Sequence, residues 1–218
     1  MTRPLRVDAA RAAARAPARA SWLALGLALA APVAVRAAAL TIGVTDAAGA
    51  PLVDAVALLE PASGRAAVKP MADVQIAQAR RQFSPRVTLI TTGTRVTFPN
   101  FDTVRHQVYS FSAIKPFELK LYAGGPGLPV VFDKPGIAVL GCNIHDSMVA
   151  WVVVADTPWA ARSDAAGRAR IAGVPPGHYL LRLWHPGLAP NADPAATEIT
   201  VGTADAEQSA RLDVRTAP

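Results

Sequence analysis

The sequence predicts an all-β protein, and three observations carry that reading. Short β-rich runs alternate with Gly, Pro, Asn and Asp punctuation from residue 40 to residue 201, the pattern of a sandwich or barrel. No stretch keeps the 3.6-residue apolar spacing of a long amphipathic helix. Turn signals recur at Ala48-Gly49, Thr92-Gly93, Lys134-Pro135-Gly136 and Pro175-Pro176-Gly177, where glycine supplies positive φ and proline presets a negative one.

The chain begins with a segment of a different kind. Residues 1–39 hold Arg3, Arg6, Arg11, Arg15, Arg19 and Arg36 against one acid, Asp8. An apolar run from Trp22 to Val35 follows, then Ala37-Ala38-Ala39. A basic start, an apolar stretch and small residues at the exit predict a secretory signal peptide over 1–39, cleaved after Ala37 or Ala39. The run is short and interrupted by Pro32, whereas a membrane span takes about 20 apolar residues. No integral membrane segment is therefore expected after cleavage, and the mature chain is expected in the periplasm or outside the cell. The whole chain has 22 Lys+Arg and 16 Asp+Glu, a formal charge of +6. Taking off the leader's six arginines and one aspartate leaves 16 against 15. That near-neutral balance removes the compositional argument for a nucleic-acid partner, and none is expected.

Strands are expected at 40–45, 55–59, 87–91, 95–99, 107–111, 130–132, 137–141, 149–154, 168–171, 178–184 and 197–201, with a last one at 209–214. Residues 187–195 read as a loop. Residues 73–81 carry helix formers but stand just before Phe83-Ser84-Pro85, and are assigned to strand or irregular structure. The N-terminal flank, 40–73, is too short to bury a core alone. It is expected to pair with the C-terminal flank, 158–218, around a central segment, 74–157.

Cys142 is the single cysteine, which excludes an intramolecular disulfide and a tetracysteine zinc site. An unpaired thiol in an exported protein calls for an explanation. It stands in Gly141-Cys142-Asn143-Ile144-His145-Asp146-Ser147-Met148, on the loop between two expected strands. Upstream, Phe98-Pro99-Asn100-Phe101-Asp102-Thr103-Val104-Arg105-His106 leaves a strand and presents a second histidine. Two His, one Cys and one Met make the donor set of a type 1 copper site, trigonal His₂Cys with a weak, long axial Met. Taken singly, the Cys reads as a small buried hydrophobe, the Met as core filling and each His as a satisfied polar residue. Zinc is the competing metal, but its sites rarely use a thioether.

At these residues the sequence resembles the cupredoxins, most closely the amicyanin and plastocyanin-like group, over residues 74–157. The likeness includes Gln82-Phe83-Ser84-Pro85, Gly93-Thr94-Arg95-Val96-Thr97-Phe98-Pro99-Asn100, His106-Gln107-Val108 and Phe132-Asp133-Lys134-Pro135-Gly136. The short Cys-x₂-His-x₂-Met loop is similar to that of amicyanin, and its wider context looks like methylamine-utilisation proteins. The resemblance implies a Greek-key β-sandwich, one copper held by His106, Cys142, His145 and Met148, and a one-electron carrier without catalytic residues. It implies an electron port at His145, with Ile144, Ser147 and Met148 nearby, and transient redox protein partners. Arg105, Lys115, Lys120 and Lys134 offer a basic rim for an acidic partner or an ordinary solvated surface. Two departures stand out: Gln107 follows the first His where the family has Asn, and Asn143 follows the Cys where it has Thr or Ser. Both are expected to rebuild the hydrogen bonding around the ligands differently.

The flanks carry a second resemblance. Residues 40–56, Leu-Thr-Ile-Gly-Val-Thr-Asp-Ala-Ala-Gly-Ala-Pro-Leu-Val-Asp-Ala-Val, look like the opening of a carboxypeptidase-regulatory-like β-sandwich, and 163–179 like its closing half. The expected architecture is therefore a cupredoxin sandwich with an additional small sandwich built from 40–73 and 158–218. An enzyme would need a further site, and the remaining histidines, His178 and His185, both lie in the C-terminal flank. A protein that stores or delivers copper is the alternative to a carrier. The sequence assigns no oligomeric state.

Overall fold

The computed structural model describes residues 37–189 and 194–215, so the expected leader lies outside the described residues up to Arg36. Among the described residues there are strands and no helix: β1 (Ala38–Thr45), β2 (Val56–Pro61), β3 (Val74–Gln75), β4 (Ala77–Ala79), β5 (Gln82–Ser84), β6 (Val87–Thr91), β7 (Thr94–Thr97), β8 (His106–Ser110), β9 (Phe117–Tyr122), β10 (Val130–Phe132), β11 (Gly136–Gly141), β12 (Val149–Ala155), β13 (Ala160–Arg162), β14 (Arg168–Val174), β15 (Gly177–Trp184), β16 (Ala195–Val201) and β17 (Ala206–Arg211). The protein is all-β, as its short β-rich runs and turn chemistry predict.

Two sheets from the ends of the chain face one another. One has the order β14-β1-β17 and the other β13-β2-β15-β16. In β1, Leu40, Ile42 and Val44 are buried while Thr41, Gly43 and Thr45 are less so, the alternation of a strand with one face on a core. Those residues meet Ala57, Leu59, Ile171, Leu181 and Leu183 in a shared apolar cluster.

A second pair of sheets, with the orders β6-β12-β11-β8-β9 and β10-β7-β3, encloses Val96, Phe98, Val108, Phe132, Leu140 and Val152. The hairpin β4-β5 lies beside them and contributes Phe83 to the same cluster. Strand β12 loses its alternation after Trp151 because it is covered on both faces. Val152 and Val154 face the central core, and Val153 joins Val56, Val87 and Trp184 in a third cluster that fastens the two sandwiches together. Trp151 and Trp184 meet there with ring centroids 6.5 Å apart, and the Arg86 guanidinium sits 5.0 Å over the Trp151 ring.

Residues 73–81 form β3 and β4. Their backbone is drawn into extended form by neighbours distant in sequence: Ile76 N–H donates to Thr97 C=O at 2.9 Å and Gln78 N–H to Pro99 C=O at 2.8 Å. The last strand spans 206–211 rather than 209–214, because β17 is a polar strand placed by parallel backbone pairing with β1. Strands β5, β9 and β13 are not among the strands expected from the sequence.

Candidate metal centre

The first histidine is delivered by a loop that polar side chains hold from within. After β7 the chain runs through Asn100, which is only 3% exposed. Its amide donates to Val104 C=O at 3.0 Å and Tyr122 C=O at 2.9 Å, and its Oδ1 accepts from Asp102 N–H at 2.9 Å. The last of these is an Asx turn, the local bond that suits Asn to loops. It brings the Asp102 carboxylate to His106, the first residue of β8: Oδ2 lies 2.8 Å from Nε2. An ionised carboxylate only accepts, so Nε2 carries the proton and Nδ1 keeps its lone pair. Asp102 is held below the usual carboxylate range chiefly by the Arg81 backbone N–H, with the His106 side chain and the Arg80 N–H adding and desolvation opposing.

The other candidate ligands share one loop. Gly141, the end of β11, pairs with Val149, the start of β12, so residues 142–148 close a hairpin. Met148 N–H donates to His145 C=O at 2.9 Å and Val149 N–H to Ser147 C=O at 3.1 Å, which winds the loop tightly. Gly141 also permits a close approach: a Cβ there would lie 2.6 Å from Cζ of Tyr109 on β8, its pairing partner.

The fold brings three of the four predicted ligands to one point. A ring nitrogen of His106, Cys142 Sγ and a ring nitrogen of His145 lie within 4.8 Å of one another. The two imidazoles cross edge to face, with centroids 5.0 Å apart. His106 is fully buried, Cys142 is 3% exposed and carries a free thiol, and His145 is partly exposed. Met148, the fourth predicted ligand, is buried in the same apolar cluster as Cys142, so it does not contribute to the exposed surface around His145. Nδ1 of His106 and Nδ1 of His145 are both buried without a hydrogen-bond partner. A buried polar atom left unpaired costs about 1–3 kcal/mol, and a metal held between these rings and the thiol would relieve it. The donors, two imidazoles and a soft thiolate, fit copper.

Asp102 and Asn100 stand close to His106 in the chain, and nothing in the residues themselves marks them as partners of the site. The signal was an Asp four residues before a candidate ligand, legible only once the loop folds back. The expected rebuilding through Gln107 and Asn143 takes another form. Gln107 donates to Glu118 on β9, Asn143 is exposed, and the outer bond on His106 comes from Asp102. Lys115 pairs with Asp133 at 3.1 Å, while Arg105, Lys120 and Lys134 are exposed. His178 bonds Thr200 at 3.1 Å. His185 donates from Nε2 to Val53 C=O at 3.1 Å and accepts the Gly187 N–H at Nδ1 at 3.0 Å, so both its nitrogens are engaged.

No protein-family model matches the chain, and no curated protein matches it. Solved structures similar to it include a purple cupredoxin from Nitrosopumilus maritimus, 28% identical, covering 38% of this chain and 99% of that one with a TM-score of 0.35. A copper-containing nitrite reductase from Thermus scotoductus is 28% identical over 44% of this chain and 25% of the reductase, with a TM-score of 0.36. Amicyanin from Paracoccus versutus is 18% identical over 39% of this chain and 84% of its own, with a TM-score of 0.35.

Proposed function

We propose that this chain is an exported type 1 copper protein that carries single electrons, with one copper held by His106, Cys142, His145 and Met148. The observation that carries the reading is the convergence of a ring nitrogen from each of His106 and His145 with the buried Cys142 thiol, where each of these two rings has a buried nitrogen without a partner. Copper bound there would supply a Cu(II)/Cu(I) couple to which thiolate, thioether and imidazole donors are all suited. Asp102 keeps the proton on His106 Nε2, so Nδ1 needs no deprotonation before binding. Cys142 does lose its proton on binding, which makes metal uptake weaker as pH falls. A four-residue donor set in a packed core leaves no open position for a substrate, and we read the protein as a carrier without catalysis. Burial of His106 and Cys142 favours a retained metal over one stored for delivery.

His145 is the ligand with solvent access, and Ile144 beside it is 47% exposed. Electrons would pass through this edge to redox proteins that dock over a small area, below about 1,200 Å². Cleavage of the leader after Ala37 suits the fold better than cleavage after Ala39. The latter would remove Ala38, 1% exposed in β1, and the bond from Ala39 N–H to Asp205. Residues 40–73 and 158–218 then form one discontinuous sandwich with the copper domain, 74–157, inserted between them. The grouping of 38–59 with 169–212 in one apolar cluster supports that division. Release of a stably folded 160–218 fragment by limited proteolysis would contradict it.

Copper titration tests the function. The metal-free protein should take up one equivalent of Cu(II), develop an intense visible thiolate-to-copper band, and lose and regain it on one-electron reduction and oxidation. A colourless complex that surrenders Cu(I) readily to a chelator would turn the assignment to delivery.

A further inference from the structure

The tip of the β4–β5 hairpin reaches the metal centre through Asp102. Ala79 pairs with Gln82, so Arg80 and Arg81 make up the whole turn. Both have φ of 55°, and a two-residue type I′ turn needs positive φ at both central positions, which Asn-Gly satisfies best. Residues with a Cβ avoid that region, and both arginines are exposed, with no ion pair to Asp102 from either side chain among the described residues. What the turn supplies is backbone. Arg80 N–H donates to Asp102 Oδ1 at 2.6 Å and Arg81 N–H to Oδ2 at 2.9 Å, and Oδ2 also meets His106 Nε2 at 2.8 Å. The base of the hairpin is fixed to the same loop. Gln78 N–H donates to Pro99 C=O and its C=O accepts from Phe101 N–H, both at 2.8 Å, while its side chain donates to Phe98 C=O at 2.8 Å.

We propose that the Arg80–Arg81 turn is a positioning element of the metal centre. Its paired backbone N–H groups hold the Asp102 carboxylate on His106, which fixes the free nitrogen of His106 and the set of its ring toward the metal. The inference rests on the reading of His106 as a ligand. Disfavoured backbone persists where its surroundings over-determine it, and such positions gather at functional sites. Here the surroundings are one carboxylate, gripped from two sides. The arginine side chains take no part, so the turn's conformation and not its composition is what the centre requires.

Two variants of the full chain separate these points. Inserting two glycines between Arg80 and Arg81 lengthens the turn and detaches it from Asp102. The double substitution Arg80→Asn with Arg81→Gly keeps the same turn in favoured residues. Nitrogen-15 NMR of the metal-free protein reads the His106 tautomer, and competition with a Cu(I) chelator reads affinity. The lengthened turn should give mixed tautomers and about 10- to 100-fold weaker copper binding, the usual cost of losing an outer partner, while the double substitution stays at wild type. A lengthened protein that melts cooperatively yet keeps one tautomer and full affinity overturns the proposal. So does a double variant that loses them. If the lengthened chain does not fold, Asp102→Ala serves: it removes the acceptor that the turn holds on Nε2, so the His106 proton should no longer stay on one nitrogen, and a tautomer unchanged from wild type overturns the proposal. The tautomer is read without copper, so a protein that never turns blue still tests the turn and fails only as a carrier.

Discussion

The two sandwiches are built on opposite terms. Around the flanking core the buried polar residues are Thr157 and Ser163, and both are satisfied. Thr157 Oγ1 donates to Leu59 C=O at 2.6 Å, and Ser163 Oγ accepts from Ala55 N–H at 2.9 Å and donates to Leu52 C=O at 2.6 Å. The central sandwich instead buries Gln78, Thr88, Thr94, Asn100, His106, Gln107 and Ser110. The buried side-chain atoms without a partner, which include both histidine Nδ1 atoms, also belong to it. A sequence that folds for stability alone has no use for unpaired buried nitrogen. Among the described residues the central core therefore carries a cost that the flanking one avoids, and a metal held as proposed would offset the share that falls on the two histidines.

The sharpest way to break that contrast is Cys142→Ser. A hydroxyl is a poor copper ligand, so the visible band should vanish entirely, while the metal-free protein still folds, losing no more than about 1–3 kcal/mol for an unpartnered buried hydroxyl. A blue Cys142→Ser protein would sink the copper assignment. Next in size is a matched pair of cavities. Leu59 and Leu140 are both 0% exposed, one in each core, and truncation of either to Ala should cost about 2–5 kcal/mol in urea unfolding. Only Leu140→Ala, one residue from Gly141 and two from Cys142, should also disturb the copper spectrum. An equal spectral effect from both would mean that the sandwiches are not functionally distinct.

Most of this was legible in the chain because strand alternation and ligand spacing are local. Leu40, Ile42 and Val44 alternate on their own evidence, and Cys142, His145 and Met148 sit within one turn. Positions set by distant partners were not legible. Strand β17 is polar and is placed by β1 alone. The stretch 77–84 is a hairpin because Pro99 and Phe101 pair with Gln78, which no window around Gln78 reveals. Asp102 reads as an ordinary loop acid until the fold lays it against His106 and the Arg80–Arg81 turn.

A smaller effect is expected from Met148→Leu. Leucine fills nearly the same volume, so stability should change by less than about 1.5 kcal/mol. If Met148 is a ligand as proposed, loss of its thioether should leave the band in place and shift the reduction potential, which voltammetry would read. A potential identical to wild type would remove Met148 from the donor set and leave the centre with three ligands.

The smallest effect belongs to the flanking sandwich and runs through pH. His185 is held neutral: Nε2–H donates to Val53 C=O and Nδ1 accepts from Gly187 N–H. A proton on Nδ1 would set donor against donor. Desolvation is the main cause lowering its pKa below the ordinary 6.5, Arg86 adds to it, and the Val53 bond and Asp54 oppose. Above about pH 6.5 the ring is neutral in folded and unfolded chains alike, and the stability it contributes is fully present. As pH falls below that value the unfolded chain takes the proton first, and stability is lost until the folded pKa is passed. Melting temperature should therefore decline on acidifying from neutrality. His185→Gln keeps an acceptor for Gly187 and a donor for Val53 without a titrating group, and should flatten that decline. It should leave the copper band untouched, because His185 belongs to the flanking sandwich. If the variant's acid limb matches wild type, the sensitivity lies elsewhere in the chain, and the metal centre is the first place to look.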